Sequence, residues 1–181
     1  MPSVSKNLFL YFFAATAALS ANALDNRVTF GMGYAKPKIS GIEISGRGAF
    51  QLSYHRKLDA SWTFGVGLEG GLKEYDCAVC SNGKATENLT TLYVTSDYSI
   101  TALPGLYVGP RVGTAMLSTE VPVAGTTYVS KGSDFAVGLE VGYLYDFATA
   151  WSVGAEASFT YIFSDRTAWI AAGVATISWS F

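Results

Sequence analysis

Two cysteines in this sequence are separated by two residues, in the segment Cys77-Ala78-Val79-Cys80. A pair with this spacing occurs in thioredoxin-like redox sites, in halves of metal sites and in local disulfides. The sequence has no second such pair and no histidine nearby, so a four-ligand zinc site is not expected. The strand and helix context that lowers a thiol pKa in redox sites is not apparent either. We therefore expect a disulfide between Cys77 and Cys80, and neither a metal nor an organic cofactor.

Four charged residues interrupt the apolar segments of the chain: Glu69, Arg111, Glu140 and Glu156. One guanidinium group can hold several carboxylates through its paired N–H donors. The surplus acid would then need His55, Lys73, a water molecule or a proton. Whether these side chains meet depends on the elements that carry them.

Most of the chain alternates between apolar residues and small or polar residues. Between Trp151 and Phe163, every second residue is apolar or small, and the positions between them include Ser152, Glu156 and Thr160. A helix would mix the two sets, because its side chains repeat every 3.6 residues. Eight segments show this alternation, so we predict eight β-strands.

The two faces of the predicted strands differ in composition. The polar face is rich in glycine rather than lysine, which suits a crowded interior more than a solvated surface. The apolar face carries aromatic residues near both strand ends, as the two interfacial girdles of a membrane barrel do.

The connections between the strands alternate in length. Short turns are predicted at residues 57–61, 102–105 and 148–150, and long loops at residues 37–47, 76–87 and 118–132. Only the last connection, residues 164–167, departs from the rule. Turns at one end and long loops at the other are typical of transmembrane β-barrels, whose turns face the periplasm and whose loops face outside. A soluble barrel of the lipocalin type is the alternative.

The N-terminal segment has the features of a secretory signal peptide. Lys6 precedes an apolar run at residues 8–15, and Ala21-Asn22-Ala23 matches a cleavage site. The run is shorter than the roughly 20 residues of a membrane helix. We expect residues 1–23 to be removed and residues 24–181 to form one domain. A net charge of −2 argues against a nucleic-acid-binding surface.

The C-terminal segment resembles the strand signal that the outer-membrane barrel-assembly machinery reads. Apolar residues alternate before a final aromatic residue, at Ile177, Trp179 and Phe181. With the segment 106–113 and the eight-strand plan, the chain resembles the OmpA/OmpX-type family of small outer-membrane barrels. The resemblance covers the mature chain and implies an all-β, transmembrane, eight-stranded antiparallel up-and-down β-barrel in the outer membrane of a Gram-negative bacterium.

The four charged residues reach a similar depth when counted along their strands from the short turns. An eight-stranded barrel has a lumen that side chains fill. We therefore predict that Glu69, Arg111, Glu140 and Glu156 form one buried ionic cluster, as the resemblance to OmpA-type barrels also implies. A structural role in filling a polar interior is the favoured interpretation. A gate that opens to pass ions is the alternative.

The predicted function is non-catalytic. Some small outer-membrane barrels modify lipid A, but His55 lies beside a short turn, at the wrong end of the barrel for that substrate. We instead expect a structural or surface-interaction role, with a narrow or gated pore as the alternative and a lipid A-modifying enzyme less favoured.

The expected partners follow from this interpretation. They are outer-membrane lipids and lipopolysaccharide, the barrel-assembly machinery, and a host or surface ligand bound by loops 37–47, 76–87 and 118–132. The first and third of these loops contain apolar residues that could extend the strands and offer an edge for pairing: Ile39, Ile42, Ile44, Val121, Val123 and Tyr128. Packing of these residues on one another is the alternative. We expect a monomer.

Overall fold

The computed structural model describes residues 25–39, 46–81, 83–164 and 168–181, so the predicted signal peptide lies outside the described residues. Eight strands occupy these ranges: β1 (Asn26–Ile39), β2 (Arg47–Lys57), β3 (Trp62–Asp76), β4 (Lys84–Ser99), β5 (Leu106–Val123), β6 (Thr126–Ala148), β7 (Trp151–Phe163) and β8 (Ala168–Ser180). Each strand pairs antiparallel with its neighbours in sequence, and β1 also pairs with β8, so the sheet closes into a barrel. The predicted eight-stranded antiparallel up-and-down barrel is confirmed. Within the described ranges, no helix is long and apolar enough to cross a membrane.

The distribution of side chains is inverted relative to a soluble protein. Outward residues such as Phe30 and Met32 are large, apolar and exposed, by 46% and 63% of their surface. The largest fully buried side chains are polar, including Gln51, Glu140 and Asp97. A soluble lipocalin-type barrel would show the opposite distribution, whereas a membrane barrel presents an apolar band to lipid. Alternation along each strand therefore sorts the sequence into a lipid-facing surface and a polar lumen.

The two ends of the barrel differ. We call the end that holds Asp25, Phe181 and the three short turns the turn end, and the opposite end the loop end. At the turn end, Asp59 Oδ1 accepts hydrogen bonds from the backbone N–H groups of Ser61 (2.7 Å) and Trp62 (2.9 Å). These contacts fix the tight connection between β2 and β3.

The prediction of a long loop at residues 118–132 was wrong, because most of this segment continues the sheet as paired strands. β5 runs to Val123 and β6 begins at Thr126, so only Ala124 and Gly125 form the turn. Both turn residues have positive φ, 49° and 82°, as in the two-residue hairpin turns that match the twist of paired strands. The segment is rich in Thr and Val, whose branched side chains favour strands.

The other two predicted loops changed less. Strand pairing continues to Asp76 opposite Lys84, so the predicted loop 76–87 shrinks to residues 77–83. In the predicted loop 37–47, β1 extends to Ile39 and β2 begins at Arg47. Ile42 and Ile44 lie outside the described residues.

The lumen has two layers. Toward the loop end lies a cluster of small and aliphatic side chains: Ala35, Ala49, Ala115, Ala136, Ile162, Ala168, Ile170, Ala172 and Val174. Toward the turn end the buried side chains are polar or charged. The sequence predicts small or polar residues on the lumenal face of the strands. In the loop-end half this prediction is corrected, because aliphatic residues of β7 and β8 also point into the lumen.

Candidate functional site

Arg111 on β5 lies at the centre of the polar layer and is 3% exposed. Its Nη1 donates to Glu69 Oε2 on β3 at 2.9 Å, and its Nε lies 2.9 Å from Glu140 Oε2 on β6. Its Cζ stands 3.6 Å from the centre of the Tyr93 ring, in a cation–π contact. Three of the four charged residues that the sequence predicts to cluster thus meet around one guanidinium group.

Glu156 on β7 joins this cluster through neutral donors rather than through Arg111. Its Oε1 accepts a hydrogen bond from Gln51 Nε2 at 2.8 Å, and its Oε2 accepts one from the Tyr107 hydroxyl at 2.8 Å. Gln51 Nε2 also lies 3.0 Å from the Tyr93 hydroxyl oxygen, which links the two halves of the layer. The network therefore crosses the lumen from β2 to β7.

Sequence reasoning missed Gln51, Tyr93 and Tyr107 as members of the network. The glycines that face the two tyrosines are a sequence feature that could have indicated their lumenal position. A Cβ at Gly67 would lie 2.6 Å from the Tyr93 ring, and one at Gly142 would lie 2.3 Å from the Tyr107 ring. Lumenal glycines on neighbouring strands thus mark the positions where a large ring crosses the barrel.

A second group of polar residues extends from the network toward the turn end. His55 Nδ1 lies 3.2 Å from Asp97 Oδ2, and His55 Nε2 lies 2.9 Å from Ser53 Oγ. Asp97 in turn contacts Thr95, whose hydroxyl also reaches Glu140. His55 is therefore beside the surplus acid, whereas Asp97 is a lumenal carboxyl group that the sequence analysis left out of the cluster.

The β5–β6 hairpin rises beyond β7 at the loop end. β6 pairs with β7 from Phe135 onward, opposite Phe163, and its residues 126–134 pair only with β5 among the described residues. We call residues 126–134 the β6 edge. Residues 126–133 are all exposed, with Tyr128 at 62% and Val129 at 49%. Of the apolar residues predicted to extend the strands, Val121 and Tyr128 face each other across this hairpin.

No protein-family model matches the sequence, and no curated protein matches it. The structure matches solved outer-membrane proteins. One is Ail, the attachment invasion locus protein of Yersinia pestis, in complex with the heparin analogue sucrose octasulfate, at 11% identity over 86% of this chain and 97% of that chain, with a TM-score of 0.68. Another is Neisserial surface protein A, at 12% identity over 88% and 99%, also with a TM-score of 0.68. A third is the N-terminal barrel domain of Pseudomonas aeruginosa OprF, at 14% identity over 87% and 100%, with a TM-score of 0.52.

The chain has the fold of a small outer-membrane barrel. The resemblance to OmpA/OmpX-type barrels drawn from the sequence is confirmed at the level of the fold.

In this barrel, the two cysteines support the hairpin. Cys77 and Cys80 are joined as a disulfide in the connection between β3 and β4. The backbone N–H of Ser81, the residue after Cys80, donates to the Pro122 carbonyl oxygen of β5 at 2.7 Å. The disulfide loop thus contacts the hairpin close to its tip. Among the described residues, no group of three His, Cys, Asp or Glu side chains is placed to hold a metal ion.

The C-terminal residues close the barrel at the turn end. Ile177 and Trp179 point outward and are 43% and 45% exposed, and the Phe181 ring stacks on Trp179 at 4.6 Å. The backbone N–H of Phe181 donates to the Asn26 carbonyl oxygen at 2.9 Å, and the Asn26 N–H donates to the Phe181 carbonyl oxygen at 3.2 Å. These residues therefore lie on the seam between the first and last strands. Their role as an assembly signal stays a prediction.

A cavity lies on each side of the polar network. The one at the loop end has a volume of about 100 Å³ and is lined by apolar residues together with Lys38, Asp134, Ser164 and the Arg47–Glu87 ion pair. The one at the turn end has a volume of about 340 Å³ and is lined by polar residues that include Arg27, His55 and Asp97.

Proposed function

We propose that the protein is a non-catalytic outer-membrane protein of a Gram-negative bacterium that binds a surface partner through the β5–β6 hairpin. In this proposal residues 1–23 direct export and are removed, the turn end faces the periplasm, and the loop end faces outside. The monomeric barrel lies among outer-membrane lipids and lipopolysaccharide, and the assembly machinery reads Ile177, Trp179 and Phe181.

The observation that carries this proposal is the β6 edge. A strand that is paired on one side only keeps backbone N–H and C=O groups that an extended partner segment can bind. Residues 126–130 are Thr-Thr-Tyr-Val-Ser, with strong strand propensity and no charge to repel an added strand. The solved Ail structure holds a heparin analogue, which makes ligand binding by a surface barrel of this fold a reasonable expectation here.

The lumen offers less for catalysis. His55 is buried at the turn end between Ser53 and Asp97, remote from the end that we place outside the cell. A Ser/His nucleophile system for lipid A would need its histidine at the opposite end.

Truncation of the hairpin tests the proposal. Residues 120–129 would be replaced by Asn-Gly, which joins the paired residues Thr119 and Ser130 by a two-residue turn. The matched control is Ala124→Asn, which keeps the hairpin at full length. Folding is checked by the heat-dependent shift in gel mobility. We expect cells displaying the truncated protein to lose attachment to epithelial cells and matrix-coated surfaces, while the control retains it. Equal attachment of the truncated protein would refute the proposal.

A narrow channel is the second candidate function, favoured by the cavities on both sides of the polar network. Refolded protein in a planar bilayer tests it. Discrete openings that Arg111→Ala alters would support the channel, whereas silence from folded protein would reject it.

A further inference from the structure

The polar layer contains carboxyl groups with two kinds of surroundings. Glu69 Oε2 accepts hydrogen bonds from Arg111 Nη1 at 2.9 Å and from the Ser158 hydroxyl at 3.0 Å. Glu156 accepts from Gln51 and from the Tyr107 hydroxyl. Each of these contacts is therefore filled by a hydrogen-bond donor.

Asp97 and Glu140 are different, because they share a hydroxyl group that has too few hydrogens. Thr95 Oγ1 lies 2.6 Å from Asp97 Oδ1, 2.8 Å from Glu140 Oε1 and 3.1 Å from the Pro110 carbonyl oxygen. A hydroxyl has one hydrogen to donate. It can therefore fill only one of the two short contacts with carboxyl oxygens, and the other contact needs a hydrogen from a carboxyl group.

The remaining partners of these two carboxyl groups do not supply that hydrogen. His55 Nδ1 faces Asp97 Oδ2, and Arg111 Nε faces Glu140 Oε2, so both contact the opposite oxygen from the one that faces Thr95. Asp97 and Glu140 are buried, at 1% and 2% exposure. Two carboxylates that share a buried site cannot both ionise without a large cost.

Other charged or titratable groups surround this pair. His55 of β2 contacts Asp97, and Arg111 of β5 contacts Glu140. Glu69 of β3 and Tyr93 of β4 contact Arg111, Arg27 of β1 and Tyr107 of β5 line the same cavity as Asp97, and Glu156 of β7 contacts Tyr107. Arg111 pairs with both Glu69 and Glu140, so one guanidinium group serves two carboxyl groups. The acid in the layer therefore exceeds the cation that reaches it, in agreement with the hydrogen count at Thr95.

We propose that the barrel binds one proton between Asp97 and Glu140, bridged by the Thr95 hydroxyl. The bridge holds a carboxyl O–H that donates to Thr95 Oγ1, while the Thr95 O–H donates to the second carboxyl group. Asp97 and His55 line the cavity at the turn end, so this proton exchanges with the compartment on that side. The charge of the polar layer then follows the pH of that compartment, independently of what the hairpin binds.

Infrared spectroscopy of the folded, full-length mature barrel in lipid tests the proposal. Carbon-13 labelling of Asp or Glu separates the two residue types. At neutral pH the wild-type protein is expected to show the C=O stretch of one protonated buried carboxyl group. Complete ionisation, with no such band in folded wild-type protein, would overturn the proposal, and this measurement needs no variant.

Variants then locate the proton. Glu140→Gln and Asp97→Asn are each expected to abolish the band, because the new amide donates N–H to Thr95 and the remaining carboxyl group ionises. Glu87→Gln is the matched control, since Glu87 pairs with Arg47 at the loop end, away from Thr95, and it should retain the band. A band that persists in either of the first two variants, or that disappears in the control, would place the proton elsewhere and contradict the proposal.

Discussion

The barrel wall and the hairpin above it use the same strand geometry to opposite effect. In the wall each strand has a partner on both sides, and the polar layer of the lumen holds a network centred on Arg111. Among the described residues, the β6 edge pairs on one side only, with β5, and its residues up to 133 are exposed. A closed sheet has no backbone groups left to bind a partner, whereas an open edge has them. The wall is therefore suited to stability and the hairpin to recognition.

The largest expected effect is in the wall. Arg111→Ala would leave Glu69 and Glu140 buried without their shared cation, and losing one partner of a buried ion pair costs about 3–5 kcal/mol. We expect this loss in the free energy of unfolding, measured by denaturant titration in lipid or detergent with tryptophan fluorescence. Arg111→Lys is the control and should lose less, because it keeps the charge. Unchanged stability of the alanine variant would show that the network does not hold the wall.

The disulfide lies in the connection between β3 and β4, which contacts the hairpin at Pro122. Its removal should therefore affect the hairpin more than the barrel wall. Cys77→Ser with Cys80→Ser releases a short loop, for which loop-closure entropy predicts a loss of about 2 kcal/mol. We expect faster hydrogen exchange at the Ser81 N–H, which bonds Pro122, with unchanged exchange inside the wall. Faster exchange throughout the wall instead would contradict the assignment of the disulfide to the hairpin.

Proline substitutions sharpen the comparison within the hairpin itself. Adjacent residues of a strand direct their N–H groups to opposite sides, so Val129→Pro and Ser130→Pro remove donors that face different neighbours. The variant that loses the edge-facing donor should weaken partner attachment about fivefold, since one hydrogen bond contributes about 1 kcal/mol. The other should destabilise pairing with β5. Equal effects of the two variants on attachment would argue against edge pairing.

A glycine in the hairpin turn should stabilise the hairpin. Ala124 has a φ of 49°, where an L-residue with a Cβ is strained and glycine is not. Ala124→Gly should slow exchange of the hairpin amides, by an amount that corresponds to about 1 kcal/mol. Faster exchange in this variant would contradict the turn geometry.

The smallest effect concerns pH at the turn end. Hydrogen bonds from the backbone N–H groups of Ser61 and Trp62 hold the pKa of Asp59 below its ordinary value. The ionised form is thus favoured in the folded turn, so its contribution is present at neutral pH and is lost as the pH falls below about 4, through the lowered pKa. Exchange at the two N–H groups should accelerate in acid relative to the wall. Asp59→Ala should remove this pH dependence, and its persistence would contradict the cause.

The wall was predictable from the sequence because its signal repeats. Alternation at positions such as Trp151 to Phe163 fixes both faces, and turn residues such as Asp59 mark the tight connections. Arg111, Glu69 and Glu140 also meet at the similar depth that counting along their strands predicts. Gln51, Tyr93, Tyr107 and Asp97 did not stand out, because their roles depend on which strands face each other across the lumen.

The hairpin was harder to predict because its residues are less apolar. Residues 118–132 contain Ser, Thr, Lys and Gly, which are common in loops, and the turn at Ala124 and Gly125 lacks the usual Asn-Gly pair. Residues 118–120 of β5 pair with β4, and residues 126–132 of β6 pair with β5. Strand pairing rather than burial therefore makes this segment part of the sheet. Only the structure shows that β7 ends before it.

Hydrogen exchange along β6 in the folded wild-type protein tests the central claim most directly. The amides of β6 that lie opposite β7 should all exchange slowly, because both of their neighbours are strands. In residues 126–134, slow amides that face β5 should alternate with fast amides that face the open edge. Uniformly slow exchange through residues 126–134 would mean that the edge is already covered, and it would contradict the account of the hairpin as a free binding surface.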